Sequence, residues 1–373
     1  MKVSDKKVLF LPFLQIPSGH HQVANTLIGE IQHSHSHVSC ENVDILAYSY
    51  GWIEKVISSF YLKWIRLFPK IYNVIYRKAV YQNDQREKRY ILYEFLFLRF
   101  MKKLLMEKNP DLIVCTHSLP AYMLNHLKKI NDLKIPVINI YTDYFIHQFW
   151  GTKHIDYHFV PNNYIKSVLL EKGVSEKRIF VTGIPVHRDI KKQHERQINP
   201  QNNSLTLLVA GGNLGVGALK SLIDELRDVK NIKLYVLCGK NNRLYKRIKS
   251  LKLEHIIPYS YINSMGEINA LYDEADAIIT KPGGVTISEC LYKKIPIFIY
   301  HSLPGQEKIN LHELKKQGLI FQIEKGNICE QIQSILFEKS VMEEYKKQIE
   351  KYHSTILEKG SADIIKELLL DKK

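Results

Sequence analysis

Short, densely apolar runs alternate along this chain with longer stretches whose apolar positions recur every three or four residues. The first kind of run has the length of a strand buried on both faces; the second has the period of an amphipathic helix. Residues 8–14 read as such a strand, 22–32 as the helix behind it and 43–47 as the next strand. Residues 112–115 follow Asn109-Pro110-Asp111, residues 137–141 follow Pro136, and 157–160 and 178–181 close the series. From 187 to 204 the periodicity stops in a polar stretch containing Lys191, Lys192, Gln193, Pro200, Gln201, Asn202 and Asn203, which reads as a linker. The rhythm then restarts. Strands are expected at 205–210, 233–238, 256–258, 277–280, 295–300 and 319–322, a helix at 268–274, and mostly helix from 330 to 370.

Strands alternating with helices predict parallel sheets covered on both faces. The expected fold is therefore α/β, with two Rossmann-like, doubly wound domains facing each other across a cleft. The first covers residues 1–190, a linker follows over 191–204, and the second covers 205–350. A terminal helix in 351–373 is placed to pack back on the first domain. In such sheets ligands bind outside the carboxyl ends of the strands, so chemistry is sought in the residues that follow each strand.

Composition narrows the class. Of the 373 residues 45% are hydrophobic and 24% charged, which excludes a disordered chain. The formal net charge of +15 favours an anionic partner: a phosphorylated substrate, an anionic membrane or a nucleic acid. Cys40, Cys115, Cys238, Cys290 and Cys329 are odd in number and lack a C-x-x-C pair, so they read as reduced thiols rather than a disulfide or zinc framework. Pro12 and Gln15 interrupt the first apolar run, and no small-residue cleavage site follows, so a core strand explains it better than a secretory signal. No run reaches the roughly 18 apolar residues of a membrane span. Residues 50–104 do mix Trp52, Phe60, Trp64 and Phe68 with Lys63, Arg66, Lys70 and Arg77. That mixture suits an interfacial surface whose apolar side chains meet lipid and whose cations meet anionic headgroups. Packed helices with basic outer faces fit it as well. Single-stranded nucleic acid is a weaker fit, because no RNP, KH or zinc pattern accompanies it.

Five segments follow strands and carry candidate chemistry. In Thr280-Lys281-Pro282-Gly283-Gly284-Val285-Thr286-Ile287-Ser288-Glu289 a strand ends, paired glycines let backbone approach a ligand, and a helix begins. The N–H groups and dipole of that helix start suit a diphosphate, and Glu289 suits ribose hydroxyls. Leu303-Pro304-Gly305-Gln306-Glu307 offers sugar hydroxyls both donors and acceptors. Ser18-Gly19-His20-His21-Gln22 places a histidine at a helix start, where it serves as a general base or as a cap. Gly211-Gly212 with Gly215, and Cys238-Gly239-Lys240-Asn241, are weaker glycine signals that lack the G-x-G-x-x-G form. The alternating His33, His35 and His37 read as an exposed loop without carboxylate or Cys partners, so no metal site is expected.

Taken together, these blocks resemble the monogalactosyldiacylglycerol synthase and processive diacylglycerol glucosyltransferase family, MurG-like members of glycosyltransferase family 28. Lys281 to Glu289 resembles the family's nucleotide-sugar signature. Leu303 to Glu307, Val181-Thr182-Gly183-Ile184-Pro185, Thr142-Asp143-Tyr144 with His147 and Trp150, and Gly19-His20 with Gln22-Val23-Ala24 resemble further blocks, in order along the chain. Where the family carries an extra glycine in the block before its histidine this chain has Pro17-Ser18, and the 211–215 loop also departs from the usual form.

The resemblance implies a GT-B fold and an inverting transfer of hexose from UDP-glucose or UDP-galactose to a diacylglycerol or other lipid hydroxyl. No cofactor and no nucleic acid is implied. The work would take place at the cytoplasmic, anionic face of the cell membrane by peripheral association. By the same carry-over His20 is the base with Asp143 near it. Gly211 and Gly212 line the phosphate loop, and Gly239 and Asn241 lie near uracil. Glu289 holds the ribose, Gly284, Val285 and Thr286 hold the diphosphate, and Gln306 and Glu307 hold the sugar. From the aromatic and basic mixture of residues 50–104, rather than from the resemblance, Lys63, Trp64, Arg66 and Lys70 are expected to face membrane or acceptor. A soluble or polyprenyl acceptor, or a non-catalytic nucleotide-sugar-binding protein, are the alternatives.

Overall fold

A computed structural model describes residues 6–13, 18–34, 37–51, 89–192, 204–211 and 218–370. The chain divides into two compact units, Met1–Pro185 with Thr355–Lys373, and Val186–Ser354.

In the first unit the elements run β1 (Lys6–Leu11), α1 (Gly19–Ser34), β2 (Val38–Asn42), α2 (Ile45–Tyr50), α3 (Ile91–Lys108), β3 (Leu112–Cys115), α4 (Ser118–Lys129), β4 (Val137–Ile140), β5 (Tyr157–Val160), α5 (Asn163–Glu171) and β6 (Ile179–Val181). In the second they run β7 (Leu205–Ala210), α6 (Ala218–Leu226), β8 (Ile232–Leu237), α7 (Asn242–Ser250), β9 (Ile256–Tyr259), α8 (Met265–Glu274), β10 (Ala277–Thr280), α9 (Gly284–Tyr292), β11 (Ile297–Ile299), α10 (Gln306–Lys316), β12 (Phe321–Gln322), α11 (Ile328–Leu336) and α12 (Lys339–Ser354). The last helix, α13 (Ser361–Leu370), packs against α1 of the first unit. Leu357 on its approach donates its N–H to the Val181 carbonyl at 2.8 Å, at the edge of the first sheet.

Each unit holds a six-stranded, wholly parallel sheet, ordered β2-β1-β3-β4-β5-β6 in the first and β12-β11-β10-β7-β8-β9 in the second. Parallel strands need crossovers, and here helices supply them, burying both faces. Leu112–Cys115, Val137–Ile140 and Ala277–Thr280 are accordingly buried at every position. In both sheets the chain starts on an inner strand, winds outward to one edge, and returns to the far side of its first strand. The reversal lies between β1 and β3 in one sheet and between β7 and β10 in the other, and each opens a crevice at the carboxyl ends.

One predicted strand is wrong. Residues 43–47 leave the sheet, and the strand is Val38–Asn42. Asp44 caps α2 by accepting the N–H groups of Leu46 and Ala47 at 2.8 and 3.1 Å, so the apolar residues from Ile45 onward are helical. The true strand is polar because it sits at the sheet edge, and its sequence, VSCEN, lacks the apolar density that marks the inner strands. His33, expected in a loop, lies in the last turn of α1.

Two buried polar side chains pin neighbouring segments together. Lys293, with a fully buried side chain, donates to Asp273 Oδ1 (2.6 Å), Asn269 Oδ1 (2.9 Å) and the Lys191 carbonyl (2.9 Å), matching the three hydrogens of an ammonium. That holds the first described residues of the second unit against α8. In the first unit Asn139 donates to the Gly151 carbonyl at 2.7 Å, which draws the segment after β4 onto α4.

Gly151 tests that close approach. A Cβ there would stand 2.2 Å from Asn125 Cβ and 2.8 Å from the Ala121 carbonyl oxygen, so backbone must move. Gly151→Ala is expected to destabilise the first unit by about 1–3 kcal/mol. Thermal unfolding should show this as a drop of several degrees in the transition that includes α4; an unchanged transition would refute the close packing.

Candidate functional site

The crevice of the first unit gathers residues from three strand ends. After β1 comes His20, in the first turn of α1; after β3 come Thr116 and His117; after β4 come Thr142 and Asp143. His20 Nδ1 lies 2.8 Å from the Thr116 carbonyl oxygen and 2.7 Å from Thr142 Oγ1. A carbonyl only accepts, so Nδ1 carries the hydrogen, and in the neutral ring the lone pair sits on Nε2. Burial holds the His20 pKa below the ordinary histidine value, against the upward pull of Asp143 and of the Thr116 hydrogen bond. At neutral pH the ring is therefore an unprotonated base with a fixed tautomer.

Its neighbours are imidazoles in the opposite tautomer. The His117 ring stands edge-on to His20 with centroids 4.7 Å apart and stacks on Phe13 at 4.9 Å. His117 Nδ1 accepts the Leu119 N–H at 3.1 Å, and His147 Nδ1 accepts that of Phe149 at 3.2 Å, which places their hydrogens on Nε2. Burial first, and then the charge that His20 would carry, push both below the ordinary value, His147 to about 3. A ring of neutral histidines leaves His20 with one nearby charge that favours accepting a proton, Asp143. The sequence reading named His20 and Asp143 and missed Thr116, His117 and Thr142 as its partners. Their position directly after β3 and β4 is the signal that marks them.

The second unit's crevice lies where β7 and β10 end. Gly211 follows β7, and Lys281-Pro282-Gly283-Gly284 leads from β10 into α9. Thr280 Oγ1 donates to the Ala210 carbonyl at 2.8 Å, locking the two strand ends together. Gly283 occupies the N-cap position of α9 with no side chain to cap it, so the N–H groups of Gly284, Val285 and Thr286 begin the helix. A Cβ on Gly283 would meet no atom of the described residues within 4 Å, so no described side chain packs on this glycine. Buried Asn310 on α10 donates to the Pro282 carbonyl at 3.1 Å and braces the turn.

The remaining expected residues are placed unevenly. Gly239 has φ +56°, a left-handed turn that glycine adopts freely, and leads to Asn241. Asn241 Oδ1 caps α7 by accepting the Leu244 N–H at 3.0 Å. Gln306 and Glu307 open α10 behind Gly305, whose φ is +90°. The Glu307 carboxylate is engaged within the protein: Lys281 Nζ donates to Oε1 at 2.8 Å and the Leu303 N–H to Oε2 at 2.7 Å. Glu289 lies one turn into α9, 5% exposed, with Tyr272 donating to Oε2 at 2.8 Å. Gly212, Lys63, Trp64, Arg66 and Lys70 lie outside the described residues. Among the described residues no cluster of His, Cys, Asp or Glu has the geometry to hold a metal ion.

Burial raises the Glu289 pKa to about 7, outweighing the Tyr272 hydrogen bond that lowers it. A carboxyl raised in the folded state adds stability that is complete below about pH 4.5 and is lost as pH climbs through 7. Glu289→Gln, which is neutral throughout, is therefore expected to unfold at the same temperature as the parent near pH 4.5 and a few degrees higher at pH 8. A difference independent of pH would contradict a protonated Glu289.

Comparison with known proteins identifies the family and the fold. Residues 20–186 match the model of the monogalactosyldiacylglycerol synthase family, and residues 206–368 match that of the glycosyltransferase family 28 C-terminal domain. The chain is 40% identical to the uncharacterized glycosyltransferase YkoN of Bacillus subtilis, covering 99% of this chain and 98% of that protein. It is 27% identical to a processive diacylglycerol beta-glucosyltransferase of Bacillus licheniformis, covering 99% and 98%. Among solved structures, MurG of Acinetobacter baumannii superposes with a TM-score of 0.59 at 14% identity, covering 98% of this chain and 99% of that one. The chain therefore belongs to the glycosyltransferases that join a monogalactosyldiacylglycerol synthase domain to a family 28 C-terminal domain, and it is a glycosyltransferase of the GT-B fold.

Proposed function

We propose that this glycosyltransferase moves a hexose from a UDP-sugar to the hydroxyl of diacylglycerol at a membrane surface, with inversion at the anomeric carbon and without a metal. The observation that carries the reading is the tautomer of His20. With Nδ1 donating to Thr116, Nε2 accepts the proton of the acceptor hydroxyl as its oxygen bonds to the anomeric carbon. The bond to the diphosphate breaks as that bond forms, so attack comes from the opposite face and inverts the centre. The departing charge is met by the N–H groups that open α9 at Gly284, Val285 and Thr286. Glu289 takes the ribose, and Gln306 with Glu307 takes the sugar.

The names of the diacylglycerol glucosyltransferases, to which the chain is similar over nearly its whole length, support a lipid acceptor. So does α3, the described end of the aromatic and basic stretch. Ile91, Leu92 and Phe95 are exposed on it, while Glu94 is buried and held by Arg89 and Tyr122. Among the described residues no helix is long and apolar enough to cross a membrane, so α3 would rest at the interface rather than span it.

Incubation with diacylglycerol in anionic liposomes and either UDP-glucose or UDP-galactose, followed by mass spectrometry of the lipids, tests the reading. A hexosyl-diacylglycerol is expected. Turnover of the UDP-sugar with other acceptors only would refute the lipid assignment. In the same assay His20→Ala is expected to lower kcat by about 10² or more while UDP binding is kept. Gly283→Ala separates ligand contact from folding. Its φ of −92° suits alanine and its Cβ meets none of the described residues, so stability should be unchanged. A methyl group beside the diphosphate should nevertheless weaken UDP binding by roughly tenfold or more. Equal UDP affinity in parent and variant would move the diphosphate elsewhere.

A further inference from the structure

The carboxylate expected to hold the sugar is already engaged, and its partner is the one cation of the strand-to-helix turn that faces the expected diphosphate. Lys281 follows directly on β10, two residues before the N-cap of α9. Its ammonium lies 2.8 Å from Glu307 Oε1, with side chains 37% and 14% exposed. The other oxygen, Oε2, accepts the Leu303 N–H at 2.7 Å, so the carboxylate stays oriented even without the lysine. The turn between them is held by Asn310 on the helix that also carries Glu307, so both members of the pair ride on one braced unit.

We propose that Lys281 and Glu307 form an exchangeable pair that couples recognition of the diphosphate to recognition of the sugar. A donor's diphosphate draws the Lys281 ammonium away from Glu307, because two phosphate charges at a helix start outbid one carboxylate. Glu307 is then left as a partly buried carboxylate without its cation, a costly state until hydroxyl donors reach it. A nucleotide that carries a hexose supplies those donors; a free nucleoside diphosphate does not. The pair therefore favours the sugar-loaded donor over the spent nucleotide and assists release of UDP after transfer. This inference rests on the UDP-sugar reading above.

Calorimetric titration with uridine, UDP, UDP-glucose and UDP-galactose tests it on the parent, Lys281→Met, Lys281→Arg and Glu307→Gln, each first checked for an unchanged unfolding transition. Lys281→Met is expected to weaken UDP by about 10–100-fold and uridine not at all, with Lys281→Arg restoring most of the loss. Glu307→Gln keeps an oxygen for the Leu303 N–H. It is expected to bind UDP as tightly as the parent or several-fold tighter, while its affinity for the preferred UDP-hexose falls, so the preference for the loaded donor collapses. Equal weakening of UDP and UDP-hexose in Glu307→Gln would overturn the exchange and leave Glu307 as a brace for Lys281. Unaltered UDP binding in Lys281→Met would overturn the lysine's part. A parent that binds none of the uridine nucleotides would instead overturn the donor reading itself.

Discussion

The hydrogen bond from His20 Nδ1 to the Thr116 carbonyl joins residues 96 positions apart, and it exists because β1 and β3 are adjacent parallel strands. Parallel pairing sends both carboxyl ends to the same edge of the sheet. Reversal of the winding at that point keeps helices from filling the space above it. The second unit obeys the same constraint with different strands: Thr280 bonds to Ala210, and the glycine turn opens where β7 and β10 end. Each candidate site is thus a consequence of strand order.

The two crevices use burial in different ways. In the first, desolvation keeps three imidazoles neutral, and backbone partners dictate which nitrogen of each carries hydrogen. A proton acceptor needs that combination, since a charged ring has no lone pair to offer. In the second, the turn offers backbone N–H groups at the start of α9, which complement an anion without any change of protonation. Glu289 is the exception. Buried against Tyr272, it tends toward the neutral form.

Glycine serves two distinct ends in these turns. Gly239 and Gly305 adopt positive φ, which most side chains resist, so their role is conformational. Gly283 has an ordinary φ, and among the described residues nothing occupies the place of its side chain, so backbone conformation does not require glycine there.

Much of this was legible in the chain. Strands buried on both faces are continuous apolar runs, so the inner strands and the parallel α/β class follow from local composition. Glycines placed directly after apolar runs mark the ends of strands, which exposes Gly283, Gly284 and Gly305 to view. The polar edge strand Val38–Asn42 escaped notice because a strand paired on one side needs no apolar density, and the cap at Asp44 turned the neighbouring apolar run into helix. The sequence alone determined the repeating units, the strand ends and the residue types placed there. Tertiary structure decided which ends became neighbours, which histidine nitrogen was free, how far burial moved Glu289, and that Lys281 holds Glu307. Those properties depend on contacts between distant segments and on exclusion of water, and no local stretch of chain encodes either.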